Sequence, residues 1–377
     1  MDEKTMETPK KKYKWQEERE AFTKAVVEQL QQGKVFFWDQ GVRDTGIDRS
    51  AVTGKPYRGG NAMRLYIYGL MMKDEFNGET RWATFKQASD RGWKLKKGSK
   101  GIHLEYWKQV SLEDIKKRNP SLTEEEAREK WRDTPPVCNC FTVFNCSQME
   151  NVPPLPPREE SDAEYPELQA VLDNCEAKVL HDQTSRNFYS PVSDEIHLMS
   201  KENFKSDGFY YGTAVHEVAH STGAKGRLDR QIENRFGTPE YAKEEAVAEF
   251  TSMFLCKHFG AQMGEEHIKN HMAYIDGWAE EFKKDPNLLF QLAGEASRAE
   301  DYIVSNYMKG LDLERREAEY EKKIAELAKI PEEKKQEQKA EAVKTAGKEK
   351  ERPVKRTSHR TAEETKGRTR SLNFLQD

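Results

Sequence analysis

Apolar residues recur at helical spacing from Trp15 to Gln32, where Phe22, Val26, Val27 and Leu30 form one stripe and Gly33 follows the last turn. A short apolar run, Val35 to Trp38, comes next, then a Gly-rich turn region from Thr53 to Asn61. An apolar helix is predicted from Ala62 to Met72. The stretch Trp93 to Val110 predicts two strands around the basic turn Lys96 to Gly101. Ser121 with Glu124 three residues on reads as a capping box that opens a charged helix to about Arg132. Phe141 to Phe144 reads as a closing strand. Then the pattern breaks: Val152-Pro153-Pro154-Leu155-Pro156-Pro157 can form neither a helix nor a central strand.

A second unit begins near Tyr165 with a helix to about Asn174. Short strands are predicted over Ala177–His181, Asn187–Ser190 and Glu195–Leu198, and the rest reads as helical. Thr238-Pro239-Glu240 is a strong helix start, with a Thr cap, Pro in the first turn and an acid at the positive dipole end. That helix should run to about Phe259, followed by helices over about Glu265–Lys284 and Asn287–Met308. From Gly310 the chain is charge-dense. The stretch to Ala342 suits a solvated helix with alternating charges, and the basic stretch after Lys344 suits disorder. The expected organisation is a flexible start over 1–14, an α+β domain over 15–151, a Pro-rich and acidic linker over 152–164, a second domain over 165–309, and a charged tail over 310–377.

Composition sharpens this picture only a little. Hydrophobic residues make up 36% and charged residues 34% of the 377, so part of the chain must lie outside any packed core. A net charge of -4 names no partner by itself. The N-terminus has no apolar signal region, and no apolar run is long enough to cross a membrane. Five cysteines at irregular spacing do not form a disulfide framework, so a cytoplasmic setting is expected.

The chemistry enters with His216-Glu217-Val218-Ala219-His220. Residues i and i+4 of a helix share a face. His216 and His220 can therefore hold one Zn²⁺ ion through their imidazole nitrogens. Glu217 stands beside them, placed to polarise a water at the metal rather than to bind the metal. The chemistry this arrangement serves is hydroxide attack on a peptide carbonyl. Two histidines on an ordinary helix is the competing reading. The small apolar surroundings, Thr213, Ala214, Val215, Val218 and Ala219, favour a buried active-site helix instead.

A third ligand is needed. The metzincin pattern would put a His three residues after Gly223, but Gly226 stands there. A distal acid must serve, and the helix after Thr238 offers Glu244, Glu245 and Glu249. The string Glu245-Ala-Val-Ala248-Glu249 resembles the gluzincin pattern of an acid, a small residue and a second acid. That resemblance implies Glu245 as third ligand and Glu249 as hydrogen-bond partner of a ligand histidine. Glu244, about 100° round the helix from Glu245, is expected to be solvated. An oxyanion stabiliser would come from Tyr210, Tyr211, His271 or Tyr274, with His271 and Tyr274 carried forward as candidates.

The N-terminal half mixes Trp, Tyr and Phe with Lys and Arg, as at Trp38, Tyr57, Arg58, Tyr66, Trp82, Lys86, Trp93, Lys94, Lys97 and Lys100. Such a surface suits single-stranded nucleic acid, whose phosphates follow cations and whose bases stack on rings. Core aromatics and a solvated basic turn would give the same composition.

Taken together, these residues resemble the ArdC-type antirestriction proteins of conjugative plasmids and related mobile elements. The N-terminal part matches at Gly54-Lys55-Pro56-Tyr57-Arg58-Gly59-x-Asn61, Arg81-Trp82-x-Thr84-x-Lys86-Gln87, Lys97-Gly98-x-Lys100-Gly101 and Thr142-Val143-Phe144-Asn145. The second part matches at His216-Glu217-x-x-His220-Ser-Thr222-Gly223, Arg227-Leu228-x-Arg230 and Tyr241-Ala-x-Glu244-Glu245-x-Val247-Ala248-Glu249. The resemblance implies a single-stranded-DNA-binding domain joined to a polyvalent-protein zincin-like metallopeptidase domain, and protection of incoming DNA from restriction. Within its motifs, Tyr57, Arg58, Asn61, Trp82, Lys86, Lys97 and Lys100 are the candidate DNA contacts. A host protein would be the peptide substrate. The alternative is a non-proteolytic strand-covering protein whose zinc site is structural or inactive. The insert around Ser111–Pro136 and the tail after Gly310 lie outside the resemblance.

Overall fold

The computed structural model describes residues 13–31, 46–76, 78–155, 165–230, 232, 238–259, 261, 278–309 and 311–329. The Val35–Trp38 run, most of the helix expected from Glu265, and the basic stretch after Lys344 lie outside them, as do His271 and Tyr274.

The architecture is α+β in two domains. The first opens with α1 (Lys14–Gln31), whose buried stripe is Val26, Val27 and Leu30. Four strands then form a mixed sheet in the order β1-β2-β5-β4: β1 (Arg49–Ser50), β2 (Arg81–Ala83), β4 (Ile102–Lys108) and β5 (Val137–Asn145). β1 runs parallel to β2; β5 runs antiparallel to both β2 and β4. Helices α2 (Gly59–Met71), α3 (Lys73–Phe76) and α4 (Phe85–Asp90) fill the connections.

Two strands do flank the basic turn, and they take different partners. β3 (Lys94–Leu95) pairs with β6 (Met149–Glu150) as a separate ribbon, while β4 pairs with β5. One local expectation needs correction. The capping box of the charged helix is not Ser121 with Glu124. Thr123 caps α6 (Glu124–Asp133), accepting from the Glu126 N–H while the Glu126 carboxylate accepts from the Thr123 N–H. Both pairs fit the same sequence signature, and the structure starts the helix two residues later. A further helix, α5 (Leu112–Arg118), precedes it, so the insert is a helical hairpin with a small core of Val110, Ile115 and Ala127.

The second domain begins with α7 (Pro166–Asn174) and a three-stranded sheet in the order β7-β9-β8, formed by β7 (Lys178–Gln183), β8 (Phe188–Ser190) and β9 (Glu195–Met199). α8 (Asp207–Ser221) packs on it, and α9 (Pro239–Phe259) packs on α8. Helical residues 278–284 follow, then α10 (Leu288–Tyr307) and α11 (Leu313–Leu327). Thr238 Oγ accepts the Tyr241 N–H at 3.2 Å and fixes where α9 starts.

The Pro-rich segment divides the chain without dividing the core. Val26, Val27, Leu30, Met63 and Ile67 of the first domain lie in one buried cluster with Leu168, Ile196, Val218, Phe250, Leu289 and Ile303 of the second. The charged helix after Gly310 is not a free solvated tail. In α11, Ile324 is 1% exposed, and Ala328 just beyond it packs with Ala51, Ala83 and Trp93. Gly54 lets the helix approach: with φ of +75°, it would place a Cβ only 2.4 Å from the Glu321 backbone.

Candidate metal centre

Almost all of α8 is buried, which its run of Gly212, Thr213, Ala214, Val215, Val218 and Ala219 allows. His216 and His220 leave the same face of it. Their Nε2 atoms stand 3.1 Å apart, with the rings nearly perpendicular. α9 crosses α8 and brings Glu245 against the pair: its carboxylate oxygens lie 3.7 Å from His216 Nε2 and 3.7 Å from His220 Nε2. Taking one ligand atom from each of these three residues, all lie within 4.8 Å of one another. Among the described residues this is the one such group.

The far nitrogen of each ring faces an acid. His216 Nδ1 has Glu249 Oε2 at 3.0 Å, an ion-pair contact. Glu249 is fully buried, so no solvent competes for it. His220 Nδ1 has Glu244 Oε1 at 3.2 Å. Acids in these positions orient the imidazoles and make the inward Nε2 atoms better donors.

Glu244 corrects the reading of it as a solvated helix charge. It is 8% exposed, and Arg230 Nε and Nη2 donate to its two oxygens at 2.9 and 2.8 Å. Arg230 also donates to Thr222 Oγ at 2.9 Å, at the C-cap of α8, and to the Ala219 carbonyl at 2.8 Å in its last turn. The angular offset from Glu245 is sound geometry, but the direction it gives points at the Gly223–Arg230 loop rather than at water. A Cβ at Gly223 would lie 2.4 Å from Ile232 Cγ2 and 3.1 Å from Arg230 Nη2, so a larger residue there would press on the side chain that holds Glu244. The clue in the sequence is the Arg227-x-x-Arg230 pair shortly after the histidines.

The donor set tests well against a divalent cation. Burial works against charge on His216, yet Glu245 and Glu249 outweigh it and raise its pKa well above the ordinary 6.5. Burial likewise opposes the Glu245 carboxylate, but His216 and His220 pull it down to about 2. The pocket thus collects acid around two imidazoles and calls for positive charge at its centre. Two nitrogens and one oxygen fit zinc, and also manganese. Glu217 is 7% exposed on the same helix. Tyr210 and Tyr211 are engaged elsewhere: Tyr210 Oη meets His181 Nε2 at 2.8 Å, and Tyr211 donates to Gln169 at 2.8 Å.

The candidate DNA contacts scatter. Trp82 is 1% exposed, and its Nε1 donates to Asp48 at 2.7 Å; a ring in the core cannot stack on a base, so it leaves the set. Tyr57 packs against the Trp82 cluster. Arg58 pairs with Glu300 at 2.8 Å and with Asp301, across to α10. Asn61 brackets the backbone of Glu105, donating to its carbonyl at 2.8 Å and accepting its N–H at 2.9 Å. Arg58 thus joins the two domains, while Tyr57 and Asn61 serve packing within the first. Lys86, Lys97 and Lys100 remain on the surface.

Comparison with known proteins agrees with both halves. Residues 16–144 match the N-terminal domain of anti-restriction factor ArdC, and residues 166–295 match a zincin-like metallopeptidase domain. Two DNA primase TraC proteins of Escherichia coli are 32% identical over 76% of this chain. The chain spans only 27% and 20% of their lengths. The uncharacterized protein y4eC of Sinorhizobium fredii is 27% identical over 68% of this chain and 82% of its own. The crystal structure of antirestriction ArdC protein from plasmid R388, in its Mn(II)-bound form, superposes with a TM-score of 0.60 at 27% identity. The match covers 78% of this chain and 98% of that one. The metal-free form superposes at 0.59.

Proposed function

The chain belongs to the ArdC-type antirestriction family, and on that premise we propose that it binds single-stranded DNA and hydrolyses a peptide bond of a host protein at a zinc centre, protecting incoming DNA from restriction. The observation that carries the hydrolytic part is the grouping of His216, His220 and Glu245, with Glu217 on the same helix. A structural metal site would have no use for Glu217. The DNA partner is supported by the match of the N-terminal domain. It is supported too by the likeness to segments of proteins named DNA primase.

His216, His220 and Glu245 would hold the metal, which when bound supplies Lewis acidity toward water and the scissile carbonyl. Glu217 takes the proton of the attacking water and delivers it to the departing amine. Glu249 and the Glu244–Arg230 pair hold the two imidazole rings in place while this happens. The surrounding burial keeps competing water from these groups.

Zinc and manganese should be measured by mass spectrometry in the wild type and in His216→Ala, Glu217→Gln and Glu245→Ala, alongside cleavage of unfolded casein. One zinc per chain, lost in His216→Ala and Glu245→Ala, kept in Glu217→Gln, with cleavage lost in all three, supports the reading. Metal retention with equal, absent cleavage in wild type and Glu217→Gln would leave protection by strand coverage alone.

A further inference from the structure

One stretch of the first domain gathers cations more densely than any motif around it. Between Phe85 and Gly101 stand Lys86, Arg91, Lys94, Lys96, Lys97 and Lys100, against Asp90 as the one acid. The topology confines them. The stretch leaves the sheet from β2, whose Ala83 pairs with Phe144 of β5, and returns to it at β4, whose Ile102 pairs with Val143 of the same strand. Midway, β3 is pinned to β6 through Lys94 opposite Glu150 and Leu95 opposite Met149. The Lys96 N–H donates to the Gln148 carbonyl at 2.9 Å. All six cations therefore arise from one short excursion held at both ends and in the middle. Lys86, Lys94, Lys97 and Lys100 lie at its surface, with Lys96 between them.

Phe85 lies in the same excursion and is 64% exposed. The helix it opens is firmly capped. Thr84 and Gln87 form a reciprocal cap, with the Thr84 N–H donating to Gln87 Oε1 at 2.8 Å and the Gln87 N–H to Thr84 Oγ at 3.2 Å. Ala88 is the residue of this helix that enters the core. Phe85 thus presents an aromatic face to water from the first turn of a capped helix, beside Lys86. Among the described residues the other exposed aromatics are Tyr13, Tyr106, Trp107 and Trp131. Tyr13 stands at the start of α1, outside the excursion, and Trp131 donates to the Val110 carbonyl. Tyr106 and Trp107, at the end of β4, are less suited to a polyanion. Trp107 donates to Glu105 at 2.9 Å and packs edge-on against Trp15 at 5.0 Å. The adjoining hairpin of α5 and α6 carries about as many acids as bases.

We propose that the strand docks on this excursion, its phosphates along Lys86, Lys94, Lys96 and Lys97 and one base stacked on Phe85. The inference rests on the DNA-binding reading above and gives it a place, with Phe85 in the role that Trp82 cannot fill. It also commits to a single strand over a duplex. In a duplex the base faces are covered by their neighbours, so an exposed ring gains little there, whereas cations serve both forms.

The test is fluorescence anisotropy of the full chain with a labelled dT oligonucleotide and with a duplex of the same length, across a salt series. Phe85→Ala should weaken dT binding by about fivefold or more, leave duplex binding unchanged, and be rescued by Phe85→Trp. Lys94→Ala with Lys97→Ala should weaken both ligands and flatten the slope of log K against log salt by about 0.7 for each single-strand phosphate that is no longer neutralised. Both sets are surface changes, and unaltered circular dichroism confirms folding. Wild-type affinity in both variants overturns the location while leaving DNA binding standing, and loss in Tyr106→Ala instead would move the site to the end of β4. Equal loss on duplex and single strand in Phe85→Ala overturns the stacking role. Absence of salt-dependent binding by the wild type would remove the DNA-binding reading and this inference with it.

Discussion

Changing Glu244 to Gln should injure the metal centre and the fold together, although Glu244 is not among the three grouped ligands. The side chain is 9% exposed and that of Arg230 is 10% exposed, so the pair is largely shielded from solvent. Glu244→Gln keeps the shape but removes the charge and turns one of two accepting oxygens into a donor facing Arg230. Breaking a buried pair from one side costs about 3–5 kcal/mol. Arg230 retains its bonds to Thr222 and Ala219, so a loss of about 2–3 kcal/mol is expected in urea unfolding of the metal-free protein. His220 Nδ1 loses its carboxylate at 3.2 Å, and losing such a partner lowers metal affinity about 10- to 100-fold. Zinc competition with a calibrated chelator measures that directly. Glu240→Gln, an exposed acid one turn earlier on α9, should change neither quantity. If Glu244→Gln held zinc within twofold of wild type and unfolded at the same urea concentration, the Arg230–Glu244–His220 arrangement would have no bearing on the centre.

Three further outcomes follow from the same structure. Trp82→Phe should lower stability by about 1–3 kcal/mol, because Asp48 loses a buried donor; dT affinity should not move, and a specific loss of binding would return Trp82 to the DNA surface. Ile324→Ala should cost about 2–5 kcal/mol in urea unfolding if α11 is docked, whereas a solvated helix would show almost none. Burial opposes charge on Glu317, but His258 and Arg49 prevail and bring its pKa down to about 2. Its contribution is therefore full above the ordinary 4.5 and fades as pH falls toward about 2. His258 is raised by Glu300 and Glu317 against its burial, so its share is full below the ordinary 6.5 and fades as pH rises through the raised value. Glu317→Gln should be less stable than wild type near neutral pH and converge with it under acid; a gap that stays constant down to strongly acidic pH would refute the pairing.

How much of this is legible without the structure depends on how far along the chain each interaction reaches. The helix carrying His216, Glu217 and His220, the start of α9 at Thr238, strands β3, β4 and β5 and the three strands of the second domain follow from spacing and capping within a few residues, so the sequence by itself determined them; β1, β2 and β6, two or three residues each, carry too short a pattern to be read. The α+β class and the zincin-like half rest on those local patterns. Contacts between distant segments have no such support. Glu244 lies close to His220 only because the Gly223–Arg230 loop folds under α9. Trp82 is buried because Asp48, 34 residues earlier, meets its indole. The Pro-rich segment reads as a boundary, yet apolar faces of α1 and α2 complete the core of the second domain. The alternating charges of α11 read as solvated, yet Arg49 and His258, from the two domains, pair with its Glu317. Charge and amphipathic pattern say which faces of an element are polar or apolar; which faces meet is settled by packing the whole chain, where each buried group must find its partner in another segment.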